Sequence, residues 1–415
     1  MDDTSPATRA VAPRQLSWLR SELDDWASTG VITPQQAASI SALYRADATH
    51  ARVGVGRVLL HLGGGFVGIG LIWLVAANLD GLSPLTRFAT VVVLWLAFLA
   101  GGEALHARGA TPALVGGVRL LAALGAGAVI FQAAQSLQVP AFEPRLVGLW
   151  SAGALLHGYL TRARLPFLVG VGAGVTWWLW QPLWDAPSSL AGVLLLAGGA
   201  VLAAAVAVLH GRHLEPFART WRIVATGLAL VAMFVAAVPG IGATDDFTLS
   251  PWLVVALAAA TLAAVGALAT RPGRGTLEVV GAIGVMATAL LLALWDTGTD
   301  TTAVGMEDWA HAALSVAAYV LLAVGLVALG TVREDPALTW LAMVGLVVFT
   351  TFQSFAVFAP IVTGAWLFVV LGTVFLGTGF LAERARRELV SALDGDPDAA
   401  STPRSTSSRS EGEDR

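Results

Sequence analysis

The sequence predicts an all-α fold, a polytopic bundle of about twelve transmembrane helices behind a small N-terminal cytoplasmic helical hairpin. Three observations support this prediction. The chain is 56% hydrophobic and only 13% charged, whereas soluble domains average about 25% charged residues. Apolar stretches of about 20 residues, the length that a bilayer core requires, recur from Val58 onward. The basic residues between these stretches alternate from one loop to the next.

Residues 1–13 are small, polar and Pro-containing, which is typical of a disordered terminus. The predicted hairpin occupies residues 14–50. The apolar residues of its first helix recur at helical spacing, and Gly30 is the type of residue that ends such a helix. These apolar residues are Leu16, Leu19, Leu23 and Trp26.

The second helix of the hairpin has a recognisable start. Thr33 suits the N-cap position, Pro34 the first turn, and Gln36 the returning position of a capping box. The hairpin is too small to enclose a large core, so we expect it to dock on another surface. A cytoplasmic protein partner would contact Leu19, Trp26 and Ile40.

The transmembrane bundle is predicted over residues 51–387, and the Ser-, Pro- and Asp-rich tail 388–415 is predicted to be disordered. Twelve apolar stretches have the length of a membrane span. They are 58–78, 87–107, 115–137, 145–161, 166–184, 189–210, 220–239, 251–270, 276–295, 310–331, 337–357 and 361–382.

The charges in the loops predict the orientation. If the N-terminus is cytoplasmic, the inner loops contain nearly all the arginines, as the positive-inside rule requires. Only Arg87 and Arg145 fall on the outer side. Several tryptophans lie near the predicted outer boundaries, where an aromatic belt is expected. We therefore expect a multi-pass protein of the plasma membrane with both termini in the cytoplasm.

Composition excludes several kinds of chemistry. The chain has no cysteine, so disulfides, Cys-ligated zinc and Cys nucleophiles are excluded. It has no lysine either, which excludes Schiff bases and a lysine-containing P-loop. No metal-ligand spacing or strand-to-helix nucleophile elbow is present. We predict no catalytic residue, cofactor or metal ligand, and membrane lipids rather than nucleic acid as partners.

Ionisable residues inside spans are functional candidates because their burial in lipid is costly. Two interpretations are open for them: an ion-pair layer at the membrane boundary, or a cytoplasm-facing vestibule in which Glu103, Arg119 and His157 meet. The six residues concerned are His61, Glu103, Arg119, His157, Arg222 and Glu278. The predicted middle of the membrane is free of charge, which argues against an ion-driven pump.

Amide side chains line one face of the third predicted span. Gln132 and Gln135 lie three residues apart and therefore on the same side of a helix. Hydrogen bonding between helices explains such a face, and so does the polar lining of an outward cavity. Gln353 in the eleventh predicted span is isolated, and a structural role is the simpler interpretation for it.

The order of features in the first third of the chain resembles the DUF2157 family of predicted bacterial membrane proteins. The hairpin Leu16–Tyr44, with its Gly30-Val31-Ile32-Thr33 turn, leads to a glycine-rich span that ends in Ala76-Ala77-Asn78 before Arg87. The resemblance covers residues 15–150. Leu79 departs from the Trp that the family favours there. The resemblance implies the architecture and brings no established activity.

Two classes of function remain open. The span count, the many glycines and the amide face favour a permease or lipid-handling carrier for a neutral or lipidic substrate. The charge-free middle and the small hairpin favour a non-catalytic scaffold or sensor that recruits a cytoplasmic partner. We prefer the carrier, because twelve spans exceed what an anchor needs. An intramembrane enzyme comes third.

Overall fold

The structure is a computed structural model. It describes residues 9–11, 13–46, 83–137, 142–211, 213–238, 247–270, 273–295 and 306–358, with a few isolated positions besides. The predicted spans 58–78 and 361–382, and with them His61, lie outside these ranges. The chain divides into two compact units, Met1–Ala122 and Ala123–Arg415. We call them the N-terminal unit and the C-terminal unit.

The N-terminal unit contains two short helices, α1 (Pro13–Ser28) and α2 (Pro34–Ala42), which contact each other. Leu16 and Leu23 are buried. The predicted capping box is confirmed: the Thr33 hydroxyl accepts from the Gln36 N–H (3.2 Å), and the Gln36 side chain accepts from the Thr33 N–H (2.8 Å). Gly30 has a φ of 78°, a conformation that favours glycine just after a helix.

Two short strands flank these helices, which the all-α prediction did not include. Strand β1 (Arg9–Val11) pairs in parallel with β2 (Tyr44–Ala46), so that Ala10 lies opposite Arg45. Residues 9–11 thus form a strand within the segment for which the sequence predicts disorder. The physical reason is that pairing with β2 gives their backbone groups partners that a disordered segment would find only in water.

Ten long helices follow in the described part of the chain. They are α3 (Pro84–Ala107), α4 (Pro112–Ser136), α5 (Pro144–Thr161), α6 (Arg164–Asp185), α7 (Ser189–His210), α8 (Glu215–Ala236), α9 (Pro251–Thr270), α10 (Arg274–Ala293), α11 (Met306–Val332) and α12 (Pro336–Phe358). Each overlaps one of the predicted spans. Helices α3 and α4 meet in the N-terminal unit, whose boundary falls within α4.

Eight of these ten helices are long and apolar enough to cross a membrane, judged by length and composition. They are α3, α4 and α7 to α12. Helices α5 and α6 fall short because they contain several Trp, Tyr, His, Gln and Pro residues, which lower the mean hydropathy. The protein is thus a membrane protein with several membrane-spanning helices, and the count of twelve spans stays a prediction.

Helices α7 and α8 form the centre of the C-terminal unit. Helix α7 contacts α6, α8, α9 and α10, and α8 contacts α6, α7, α10, α11 and α12. Most of the side chains in the middle turns of α7 are Ala, Gly or Val, which allows neighbouring helices to approach closely. The largest buried cluster joins Leu190, Met233, Leu292, Tyr319 and Phe349.

Helices α5 and α6 pack against each other through glycines. A Cβ atom on Gly158 would lie 2.7 Å from the Cα of Phe167, and one on Gly170 would lie 2.6 Å from the backbone N of Leu155. The Ser151 hydroxyl donates a hydrogen bond to the Gly170 carbonyl (2.8 Å). Gly170 is therefore a packing position between α5 and α6, whereas Gly172 has no atom within 4 Å of such a Cβ.

This difference gives a test of the glycine packing. Gly170→Ala should force α5 and α6 apart and lower the free energy of unfolding by about 1–3 kcal/mol, the usual cost of overpacking. Gly172→Ala on the same helix is the matched control, and it should be neutral or slightly stabilising because Ala favours helix over Gly. Thermal unfolding in detergent, followed by circular dichroism, compares the two variants. Equal stability would contradict the packing role.

Candidate functional site

Buried charges of the C-terminal unit meet at the end where α8 and α10 begin and α11 ends. We call this the ion-pair end. The Glu278 carboxylate on α10 is 3% exposed and accepts hydrogen bonds from Arg222 on α8 (3.2 Å) and from Arg333, which follows α11. Arg222 also donates to Glu215 on its own helix (2.8 Å). These contacts join α8, α10 and the end of α11.

A second ion pair lies at the same end. Arg219 donates two hydrogen bonds, of 2.7 and 2.8 Å, to the two carboxylate oxygens of Asp335. Asp335 stands directly before α12, and its side chain also accepts from the Ala337 N–H (3.0 Å), so it caps that helix. This bidentate pair ties the start of α8 to the turn between α11 and α12.

The described ion pairs at this end join three guanidinium groups with three carboxylates. Arg219, Arg222 and Arg333 are matched by Glu215, Glu278 and Asp335. The sequence singled out Arg222 and Glu278 as charges inside predicted spans, and an ion-pair layer was one of the two interpretations. The structure brings these two residues together. Asp335 and Arg333 were not singled out, since they lie in a turn that gives no sign of burial.

An aromatic hydrogen-bond chain lies beside Arg222, at the neighbouring residue Trp221. Trp221 donates to the Tyr159 hydroxyl (3.1 Å), which lies 2.9 Å from Nε2 of His210. His210 Nδ1 is 2.6 Å from the Val206 carbonyl oxygen, which can only accept, so Nδ1 carries the proton. Nε2 then accepts from Tyr159. These contacts occupy both His210 nitrogens and link α5, α7 and α8.

The opposite end of the C-terminal unit is lined with aromatic side chains, and we call it the tryptophan end. Trp177 lies edge-on to Trp252 (5.9 Å between ring centroids), Trp180 to Trp184 (6.2 Å), and Trp295 to His311 (6.0 Å). These are tryptophans that the sequence places near outer membrane boundaries. They come from α6, α9 and the turn after α10.

At the tryptophan end, Gln181 on α6 is 1% exposed and has an unpaired side-chain oxygen, and three further side chains on α11 and α12 combine burial with unpaired polar atoms. His311 is 1% exposed, Ser315 is 0% and Gln353 is 6%. His311 Nδ1, Ser315 Oγ and Gln353 Oε1 have no hydrogen-bond partner among the residues that the structure describes. Among these residues, Gln353 alone stood out in the sequence as a polar residue within a predicted span. His311 and Ser315 are four residues apart in an apolar helix, and this spacing was the available sign of a shared polar face.

The predicted polar lining is only partly assembled within one unit. Arg119 donates two hydrogen bonds, of 2.8 and 2.7 Å, to the Glu103 carboxylate, and both residues belong to the N-terminal unit. His157 belongs to α5 in the C-terminal unit. Gln132 on α4 is half-buried and Gln135 is exposed. A vestibule shared by Glu103, Arg119 and His157, and an amide-lined cavity, stay predictions.

The predicted docking residues differ in exposure. Trp26 on α1 is 39% exposed, whereas Leu19 and Ile40 are half-buried. Trp18, which the sequence analysis did not single out, is 60% exposed. The N-terminal helices therefore present two large aromatic side chains on their surface.

The segment that contains Trp26 and the Glu103–Arg119 pair has recognisable relatives. Residues 24–167 match the DUF2157 family, described as a predicted membrane protein. This confirms the resemblance noted in the sequence. The match to DUF2157 runs from α1 to the start of α6, so the ion-pair end and the unpaired polar side chains lie beyond it. No curated protein and no solved structure shows significant similarity to the chain.

Outside the DUF2157 segment, Asp335 offers a test of the ion pairs by pH. The hydrogen bonds from Arg219 hold the pKa of the Asp335 carboxyl below its ordinary value against the opposing effect of burial, and the Ala337 N–H lowers this pKa further. A carboxyl whose pKa is lowered by folding stabilises the folded state above its ordinary pKa, and this contribution is lost as the pH falls through the lowered value.

We therefore expect Asp335→Asn to lower the melting temperature near neutral pH and to reduce its further fall between about pH 5 and about pH 2. The exposed neighbour Glu334 provides the control Glu334→Gln, which should behave like the unmodified protein. Thermal unfolding in detergent across this pH range makes the comparison. A parallel pH dependence of the Asp335→Asn variant and the unmodified protein would contradict the role of the ion pair.

Proposed function

We propose that the protein is a membrane carrier for an uncharged or lipidic substrate, and that the ion-pair end closes its cytoplasmic side. The observation that carries this proposal is the distribution of buried charge. Within the described part of the C-terminal unit, the buried charged residues are Arg222, Glu278 and Asp335, and all three lie at the ion-pair end. The rest of the interior of this described part contains no buried charged side chain that could pair with a charged substrate.

A helix bundle that serves only as a membrane anchor does not need the buried ion pairs of the ion-pair end. Buried ion pairs are costly to desolvate, and apolar residues of similar volume often give equal or greater stability. Ion pairs between side chains of different helices or turns can also separate when these elements move apart, and water then hydrates each charged group. Arg219 and Asp335 lie on different helices or turns, as do Arg222 and Glu278. An ion-pair layer of this kind is suited to closing the cytoplasmic side of a carrier reversibly.

The expected orientation agrees with this assignment. The ion-pair end contains the segments with Arg162, Arg219 and Arg333, which the positive-inside rule assigns to the cytoplasm. The tryptophan end then faces outward. Opening of the ion-pair layer would connect the cytoplasm with the interior between α8, α10 and α11, where no charged side chain of the described residues obstructs an uncharged molecule.

The lack of cysteine in the sequence allows a direct test of this closure. Thr226 is buried on α8, one helical turn deeper than Arg222. A single cysteine at this position, Thr226→Cys, should resist a membrane-impermeant thiol reagent applied from the cytoplasmic side. Adding Glu278→Gln should raise the labelling rate at least about tenfold, because removal of one partner from a buried pair costs about 3–5 kcal/mol.

Glu215→Gln is the matched control, because the Glu215 carboxylate also binds Arg222 but lies at the exposed rim of the network. It should change the labelling rate little. Circular dichroism and thermal unfolding of each variant confirm that the helices are intact. Resistance of the cysteine in all three backgrounds would describe a permanently closed bundle, and the carrier proposal would then be abandoned.

A second candidate function is a scaffold that recruits a cytoplasmic protein, and the exposure of Trp18 and Trp26 favours it. Large exposed aromatic side chains are common at the centres of protein interfaces. A photo-crosslinking amino acid in place of Trp26 should then capture a protein partner in intact cells. The same amino acid in place of the buried Leu23 is the control. Equal crosslinking at both positions, or none at Trp26, would contradict recruitment through this surface.

A further inference from the structure

Helices α11 and α12 are antiparallel neighbours whose alignment is fixed at two places. Near the ion-pair end, a Cβ on Gly330 would lie 2.5 Å from the Thr339 hydroxyl. Further along, the rings of Tyr319 and Phe349 are stacked with their centroids 3.9 Å apart. Both contacts give the same register between the two helices. One turn beyond the stacked rings, Ser315 on α11 falls opposite Gln353 on α12.

His311 lies one further turn along the same face of α11 as Ser315. Its Nε2 is 3.2 Å from the carbonyl oxygen of Leu292 on α10. The three unpaired atoms described above, His311 Nδ1, Ser315 Oγ and Gln353 Oε1, thus belong to adjacent layers between three helices. Each side chain is more than nine-tenths buried. Buried polar atoms without a protein partner are rare, and they often mark a position where a bound molecule supplies the missing hydrogen bond.

The hydrogen-bonding capacity of these atoms defines the ligand. The Leu292 carbonyl only accepts, so His311 Nε2 donates to it, and in this tautomer Nδ1 is the acceptor of the ring. Gln353 Oε1 is also an acceptor, whereas the Ser315 hydroxyl can both donate and accept. The set therefore requires a ligand that mainly donates hydrogen bonds. A hydroxyl group donates and accepts, and so matches all three positions.

The distribution of buried charge restricts the class of ligand further. The buried charged residues of the described C-terminal unit all lie at the other end, so a charged ligand here would have no partner ion among them. The layer beneath the three polar side chains is the Tyr319–Phe349 stack, and Trp295 stands edge-on to His311. This combination of an apolar floor, aromatic edge and uncharged acceptors is suited to a small polyol.

We propose that His311, Ser315 and Gln353 form a binding site for an uncharged molecule with two or more hydroxyl groups. The same chemistry occurs in a free polyol and in the glycerol headgroup of a neutral lipid, and the site recognises the hydroxyl groups in either case. The identity of this ligand as the carried substrate rests on the proposed carrier function. Binding itself depends only on the three side chains.

The test uses a single cysteine at the site, Ser315→Cys, with the protein in lipid nanodiscs and a small uncharged maleimide as reagent. Glycerol is the soluble probe, and a monoacylglycerol mixed into the nanodisc lipid is the membrane-borne probe. A bound probe should slow labelling, by about tenfold when its concentration is about ten times its Kd. Ser151→Cys is the matched control, because Ser151 is also buried but its hydroxyl is already paired with Gly170. Labelling there should be unchanged by either probe.

Each outcome decides the proposal. Protection by glycerol supports a free polyol as ligand, and protection by the monoacylglycerol alone supports a lipid headgroup. Gln353→Leu, which removes one acceptor, should abolish either protection without changing the helical content. If neither probe slows labelling, binding of both radiolabelled probes to the unmodified protein, whose Ser315 hydroxyl is intact, is measured next. Absence of binding there means that the site holds buried water only and that the proposal is wrong. If the cysteine does not react at all, binding of radiolabelled glycerol and monoacylglycerol to the unmodified protein replaces labelling, and equal binding by Gln353→Leu overturns the proposal.

The result is separable from the test of the carrier. Exposure of Thr226→Cys after opening of the ion pairs, with no protection at Ser315→Cys and no probe bound by the unmodified protein, would overturn the polyol site and leave the carrier role. Protection at Ser315→Cys in a bundle that never exposes Thr226→Cys would establish the site and overturn the carrier role.

Discussion

The Glu278 carboxylate lies between the guanidinium groups of Arg222 and Arg333, and the arrangement of one end of the C-terminal unit depends on this contact. A carboxylate that is 3% exposed is tolerated only if its charge and its lone pairs are both satisfied. The two arginines meet this need, and they come from α8 and from the residue after α11. The same requirement therefore fixes the relative positions of α8, α10 and α11 at this end, while apolar side chains pack between their middle turns.

Much of the helical architecture can be predicted from the sequence because each span is a local property. The predicted spans 189–210 and 251–270 coincide with Ser189–His210 and Pro251–Thr270. In both cases an apolar run begins at a Ser or Pro, residues that favour helix starts. The capping box at Thr33 is equally local, because Thr33 and Gln36 are three residues apart. The strand Arg9–Val11 was missed because its partner, Tyr44–Ala46, is distant in sequence and both strands are only three residues long.

The contacts of the candidate site could not be predicted from the sequence, because they join residues that are far apart in the chain. Arg222 and Glu278 were recognisable as charges in apolar surroundings, but nothing in the sequence pairs residues 56 positions apart. Asp335 looked like an ordinary turn residue because its partner, Arg219, lies 116 positions away. His311 and Ser315 do not interrupt the apolar pattern of α11. Their significance arises only from burial and from Gln353, which belongs to the next helix.

The tight contact between α5 and α6 has a consequence for the way in which the protein enters the membrane. Each of these helices alone carries enough polar side chains to enter lipid reluctantly. Together they bury Ser151 against the Gly170 carbonyl and bring their backbones close at Gly158. A preassembled pair exposes fewer polar groups to lipid than two separate segments. If α5 and α6 span the membrane as the sequence predicts, they are best inserted as one helical hairpin, after the turn at Arg162 has formed and before either helix meets lipid by itself.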